Sequence, residues 1–174
     1  GPIYYVNKYG AMVTETWKAV AFEEGDEALV RDADYWWMYF GSDGKAYKCK
    51  LSGKYVIRDI KGKKYAFDEN GHMLYGWINK GSSKLLDSDP YAWQHATYYF
   101  GDWNDGAMTI GQRCIVIADK NECEYERKFT FDQNGEKIDW INVFECHNDP
   151  DLVPVLDRYF LTDSFLYAIR ESLL

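Results

Sequence analysis

Apolar and polar positions alternate along short aromatic segments, and each segment runs into a polar turn, a glycine and a second apolar start. The chain writes this pattern five times: Tyr4-Tyr5-Val6-Asn7-Lys8-Tyr9-Gly10-Ala11-Met12, Met38-Tyr39-Phe40-Gly41-Ser42-Asp43-Gly44-Lys45-Ala46, Tyr65-Ala66-Phe67-Asp68-Glu69-Asn70-Gly71-His72-Met73, the looser Tyr98-Tyr99-Phe100-Gly101-Asp102-Trp103-Asn104-Asp105-Gly106-Ala107-Met108, and Phe129-Thr130-Phe131-Asp132-Gln133-Asn134-Gly135-Glu136-Lys137. Alternation at period two in runs this short marks half-buried strands. Asn70-Gly71 and Asn134-Gly135 supply a step that accepts φ > 0, and Asp43-Gly44 and Asp105-Gly106 serve the same purpose. Each copy therefore predicts a β-hairpin whose bend folds two strands together.

The glycines at 10, 44, 71, 106 and 135 stand 34, 27, 35 and 29 residues apart. Units of this size cannot bury a face alone, so they predict a row of hairpins that share aromatic rings with their neighbours. Tyr55-Val56-Ile57-Arg58-Asp59-Ile60 and Cys114-Ile115-Val116-Ile117 read as further strands, with polar punctuation at Glu23-Glu24-Gly25-Asp26-Glu27 and Gly81-Ser82-Ser83.

After residue 148 the periodicity changes. Asp149-Pro150 reads as an N-cap with Pro at the first helical position, and Leu152, Val155, Leu156, Tyr159 and Phe160 recur at helical spacing. Phe165, Leu166, Ile169 and Leu173 repeat that spacing beyond a break at Thr162-Asp163. The division expected is a β-hairpin repeat region at 1–148 and a helical segment at 149–174. The segment reads either as a cap on the open end of the stack or as an amphipathic tail for partner binding or self-association.

Composition narrows the function. Of 174 residues 18% are aromatic, with 15 Tyr and 7 Trp, an excess beyond what packing of short hairpins asks. Planar rings with a polar edge grip sugar rings, quaternary ammonium groups or partner surfaces. A net charge of −8 opposes nucleic-acid binding, which needs clustered Lys and Arg. No apolar run approaches the length of a membrane-spanning helix. The chain opens inside a repeat at Gly1-Pro2-Ile3-Tyr4 without a basic and apolar leader, and reads as a piece excised from a longer protein. Cys114 and Cys123 flank a hairpin-like stretch, where a cross-strand disulfide and free thiols both fit.

The stretch Gly62-Lys63-Lys64-Tyr65-Ala66-Phe67-Asp68-Glu69-Asn70-Gly71-His72-Met73-Leu74-Tyr75-Gly76-Trp77-Ile78 resembles a cell-wall-binding repeat. Such repeats occur in choline-binding surface proteins, streptococcal glucan-binding proteins and the carbohydrate-binding tails of clostridial toxins. As a pattern the resemblance extends over roughly residues 3–145. It implies hairpins stacked into a solenoid, with ligands held at junctions between the Trp of a Gly-Trp pair and the aromatics of the next Trp-Tyr-Tyr-Phe segment. Gly76-Trp77 keeps the pair, while Trp17 and Trp140 keep the Trp alone. Carried over residue by residue, it implies two junctions, one of Trp17 with Trp36, Trp37 and Tyr39, the other of Trp77 with Tyr98 and Tyr99. The family's interval is about 20 residues, and the longer intervals here predict lengthened or additional strands. Because the cages lack several of the family's aromatics, glycan is favoured over choline as ligand.

Other chemistries read weakly. Asp102-Trp103-Asn104-Asp105-Gly106 is a poor calcium loop, with Gly one residue early and Arg113 where a bidentate Glu belongs, and it reads as a solvated turn. Cys146 and His147 are adjacent, so on a strand they point to opposite faces and cannot act as nucleophile and base. Phe40, Phe67, Phe100 and Phe131 read as core. The expected molecule is a mostly-β row of hairpins without a catalytic residue, metal or cofactor. It would attach a secreted or surface bacterial protein to cell-wall polysaccharide, glucan or a choline-bearing polymer. The rival reading is a protein-interaction or adhesin module on the same scaffold.

Overall fold

A computed structural model describes residues 1–138; the segment expected to be helical, Trp140 and the Cys146-His147 pair lie outside the described residues. Strands pair in chain order as four separate antiparallel two-stranded sheets. They are β1 (Thr16–Val20) with β2 (Trp36–Phe40), β3 (Val56–Ile60) with β4 (Lys63–Phe67), β5 (Gly76–Ile78) with β6 (Tyr98–Phe100), and β7 (Gly111–Ala118) with β8 (Glu124–Phe131). One 3-10 turn (Asp26–Ala28) and a one-turn helix α1 (Ala92–His95) sit in the longer connections. The tandem hairpins read from the sequence are the observed architecture. The longer intervals lengthen only the last pair, to 8 residues per strand; elsewhere the added residues form the connections 21–35 and 79–97.

The motif bends play a different part from the one expected. They do not close the ladders: Lys61 and Gly62, both at positive φ, join β3 to β4, and the Asp119–Cys123 turn joins β7 to β8. The second, third and fifth motif bends instead follow the second strand of a pair and turn the chain back through a single bridge, Phe40 to Ala46, Phe67 to Met73 and Phe131 to Lys137. The first copy makes the same bridge from Val6 to Met12. The fourth departs, bridging Asp102 to Asp105 with the positive φ at Gly101 rather than at the expected Gly106. The bends are locally encoded. Asn7, Asp68 and Asp132 each accept two backbone N–H bonds on the side-chain oxygen at 2.8–3.0 Å, and the glycine three residues on takes φ near +78°.

Behind each bend the backbone donors divide between two units. The N–H groups of Tyr47, Leu74, Thr109 and Ile138 return to their own strand at Tyr39, Ala66, Tyr99 and Thr130. Those of the preceding residues, Ala46, Met73, Met108 and Lys137, cross to the carbonyls of Ile3, Trp37, Lys64 and Thr97 in the previous unit at 2.7–2.8 Å. Neighbouring donors on an extended segment face opposite edges, so one segment satisfies two strands. The result is a strict serial order.

Side chains follow the same order. On each aromatic strand, alternate residues face the unit behind and the unit ahead. Met38 and Phe40 pack back on Ile3, Tyr5 and Val13, whereas Tyr39 packs forward on Phe67. Ala66, Tyr98 and Phe100 form the next core, and Phe129 and Phe131 close on Trp77 and Tyr99. Phe40, Phe67, Phe100 and Phe131 are each at most 2% exposed, and burial of each contributes about 1.5–3 kcal/mol. The chain's 4 methionines cross the same interfaces. Met12, Met38, Met73 and Met108 lie where a Cβ on Gly44, Gly71, Gly106 and Gly135 would stand.

The β7–β8 register sets Cys114 opposite Lys128 and leaves Cys123 in the turn, and both are free, exposed thiols. The cross-strand disulfide is not formed.

Candidate functional site

A cavity of about 210 Å³ opens between the first and second hairpins, lined by Trp17, Trp37, Tyr65, Met73, Asn104, Asp105 and Gly106. Trp17 on β1 stands opposite Tyr39 on β2 and supplies the floor. Its ring lies 6.5 Å from Trp37 at 90° and 4.9 Å from Tyr65 at 66°. Trp17, Trp37 and Tyr65 are half-buried, so each keeps an open face. Met73 reaches the cavity because its backbone is bonded to the Trp37 carbonyl.

The remaining wall comes from the fourth motif. Asp102 accepts N–H bonds from Asn104 at 2.8 Å and Asp105 at 2.9 Å, which sets a turn expanded by two residues. Its tip packs Trp103 edge-on against Tyr35 at 4.9 Å, and Trp37 Nε1 donates to Asn104 Oδ1 at 3.1 Å. Asp105 thereby faces the rings. The Tyr65 hydroxyl is pushed up by burial and then by the Asp105 charge, so it stays neutral at ordinary pH. This turn, expected to be merely solvated, is exposed at Asn104 and Asp105 yet forms one side of the cavity. Three ring faces and one carboxylate make a surface suited to a compact cation bearing apolar groups.

The second junction repeats the frame with other contents. Trp77 on β5 stands opposite Tyr99 on β6 with ring centroids at 4.8 Å, and meets Phe129 at 4.9 Å and Phe131 at 6.1 Å. Phe129 replaces Tyr65, and Thr97 stands where Trp37 stands. Trp93 of α1 adds a ring against Phe129 at 6.1 Å.

Of the residues singled out in the sequence, Trp17 and Trp37 line the cavity together. Tyr39 touches Trp17 at 5.2 Å but is 7% exposed and lies beneath it in the core. Trp36 is not at this junction. It faces the other side of β2, stacks on His72 at 4.4 Å and donates its Nε1 to Asp26 at 2.8 Å. Trp77 and Tyr99 meet as expected, whereas Tyr98 points back to Tyr55 and is 6% exposed. Period-two alternation is the reason in both cases: Trp36 and Tyr98 each neighbour a junction residue and therefore take the opposite face. Sequence reasoning missed Tyr65, Met73, Asn104, Asp105 and Trp93. Alternation counted back from Phe67 was available to find Tyr65; nothing local signals Asn104, Asp105 or Trp93. Among the described residues no group of three or more His, Cys, Asp or Glu side chains could hold a metal ion.

No family model matches the chain, and no curated protein matches it significantly. Solved structures do. The modular autolysin LytC from Streptococcus pneumoniae, in complex with a synthetic peptidoglycan ligand, is 18% identical over 78% of this chain and 27% of its own, with a TM-score of 0.38. The modular Cpl-1 endolysin complexed with a peptidoglycan analogue is 19% identical over 79% of this chain and 37% of its own, with a TM-score of 0.32. Choline binding protein F from Streptococcus pneumoniae is 22% identical over 79% of this chain and 44% of its own, with a TM-score of 0.24. The chain thus spans less than half of each of these proteins, which are an autolysin, an endolysin and a choline-binding protein.

Proposed function

We propose that this chain is a non-catalytic attachment module that holds a secreted or surface protein to a cell-wall or extracellular polymer, gripping a quaternary ammonium group such as choline at the first junction. The observation that carries this reading is the convergence of Trp17, Trp37 and Tyr65 with the Asp105 carboxylate on one cavity of about 210 Å³. That volume has room for a head group, and with the Asp105 carboxylate beside the rings we favour a cationic ligand over the glycan preferred from the sequence. Tyr65 and Asp105, supplied by later units, complete what the first hairpin lacks.

Magnitudes agree with a weak, repeated grip. Three cation–π contacts at about 0.5–2 kcal/mol each give roughly 1.5–6 kcal/mol before association costs, so a single site holds its ligand at about the millimolar level or more weakly. A polymer bearing many such groups would then be held by multivalency.

Titration of choline and of α-glucan oligosaccharides, followed by Trp emission, tests the reading. Choline should shift the emission of the wild type, and Trp37→Ala or Asp105→Asn should weaken or abolish the response while the melting curve is retained. A response to glucan alone would move the ligand class to sugar. Silence to both would favour the protein-interaction reading, which the exposed Tyr4, Val6 and Tyr9 of the first motif support.

A further inference from the structure

We infer that the second junction is a cation box of the same design as the first, filled by the chain's own Lys137. The inference rests on the reading of the first junction as a cation site. The two frames correspond ring for ring. Trp17 makes angles of 68°, 66° and 31° with Tyr39, Tyr65 and Phe67, and Trp77 makes 58°, 70° and 33° with Tyr99, Phe129 and Phe131. In both cases the floor and its partner stand about sixty residues from their counterparts.

Lys137 occupies the position that Met73 occupies at the first junction. Each lies two residues after a motif glycine, and each donates its backbone N–H to the previous unit at 2.8 Å, Met73 to Trp37 and Lys137 to Thr97. Met73 presents a neutral thioether to an open cavity. Lys137 instead places its ammonium 5.6 Å from the Trp77 ring centroid and donates it to the Trp93 carbonyl. Each frame carries an arginine opposite its outer ring, Arg58 across from Tyr65 and Arg113 across from Phe129. Each also has a carboxylate near a tyrosine, Asp105 by Tyr65 and Asp102 by Tyr99. The second differs in adding Arg127, 5.5 Å from the Phe129 ring centroid, and the Lys137 ammonium. An aromatic box that already carries an ammonium, with an added guanidinium beside it, repels a second cation. Lys137 therefore sets which junction is open, and it marks the ligand class of the frame as alkylammonium.

The test counts choline sites by calorimetric titration of the wild type and of Lys137→Met, which restores the residue type found at 73 and 108. One site in the wild type and a second, weaker one in the variant is the expected result. No site in the wild type but one in the variant would support the inference while removing the reading of the first junction. Equal numbers in the two proteins would overturn the inference: at one site each the first-junction reading stands, at none it falls as well. Should Lys137→Met fail to fold, the wild type still decides. NMR of lysine-labelled protein should show the Lys137 ε-methylene upfield of the other lysines through the Trp77 ring current, and a resonance at the ordinary position would refute the occupancy.

Discussion

Trp37 Nε1 donates to Asn104 Oδ1 at 3.1 Å across 67 residues of chain, and this bond brings the expanded turn of the fourth motif to the cavity of the first junction. Asn104 is exposed, so its contribution falls on the geometry of the site rather than on the fold. Asn104→Ala should weaken choline binding by about threefold to tenfold, the equivalent of about 0.5–1.5 kcal/mol for one hydrogen bond. Calorimetric titration beside a thermal melt measures both effects. A lowered Tm with unchanged affinity would assign the pair to stability instead.

Two glycine substitutions separate backbone conformation from packing. Gly10 and Gly71 have φ of +79° and +78°, but a Cβ meets nothing within 4 Å at Gly10 and lies 2.8 Å from Met38 Cε at Gly71. Gly10→Ala should cost about 1–2 kcal/mol, the penalty of a left-handed conformation. Gly71→Ala should cost about 1–3 kcal/mol more, because Met38 must leave its place on the next bend. Denaturant unfolding compares them, and equal losses would show that the methionine contact is slack.

The Trp36–Asp26 bond predicts a pH dependence. The hydrogen bond from Trp36 Nε1 holds the Asp26 carboxyl below its ordinary value of 3.8. With the folded-state value depressed, the associated stability is present above pH 3.8 and is lost as pH falls through the folded value. Trp36→Phe should therefore lower stability by about 1–3 kcal/mol at pH 7, as for a bond to a charged group, and the gap should narrow below pH 3.8. Chemical denaturation at pH 7 and pH 3 checks it; a gap independent of pH would mean that only ring packing was lost.

Trp77→Ala should act on stability. Its ring covers Phe129 and Phe131 with Tyr99, so truncation should cost about 3 kcal/mol. Choline affinity at the first junction should be unchanged below the melting temperature. Titration of the variant at low temperature measures this, and a lost response in folded protein would place the working site at Trp77.

Local chemistry made much of the fold legible. An Asx side chain, a left-handed glycine and an aromatic stop all act within about seven residues, so four of the five bends and the buried Phe40, Phe67, Phe100 and Phe131 were readable in order; at the fourth the positive φ moves from Gly106 to Gly101. The work of those bends was not readable. Whether the chain after Gly71 extends a ladder or crosses to Trp37 depends on the neighbouring unit, and the Lys61-Gly62 turn that does close a ladder carries no motif of its own.

The candidate site divides in the same way. That Trp17 and Trp37 share a junction is what the resemblance implied. It also put Trp36 and Tyr98 at the junctions and left out Tyr65, although period-two alternation turns the first two away and was available to find the third. Tertiary structure alone brought Asn104 and Asp105 to those rings and set the ammonium of Lys137 on Trp77. Bends and strand faces are decided by neighbours a few bonds apart. The charge that a ring face meets is decided by which distant turn the stacking carries against it.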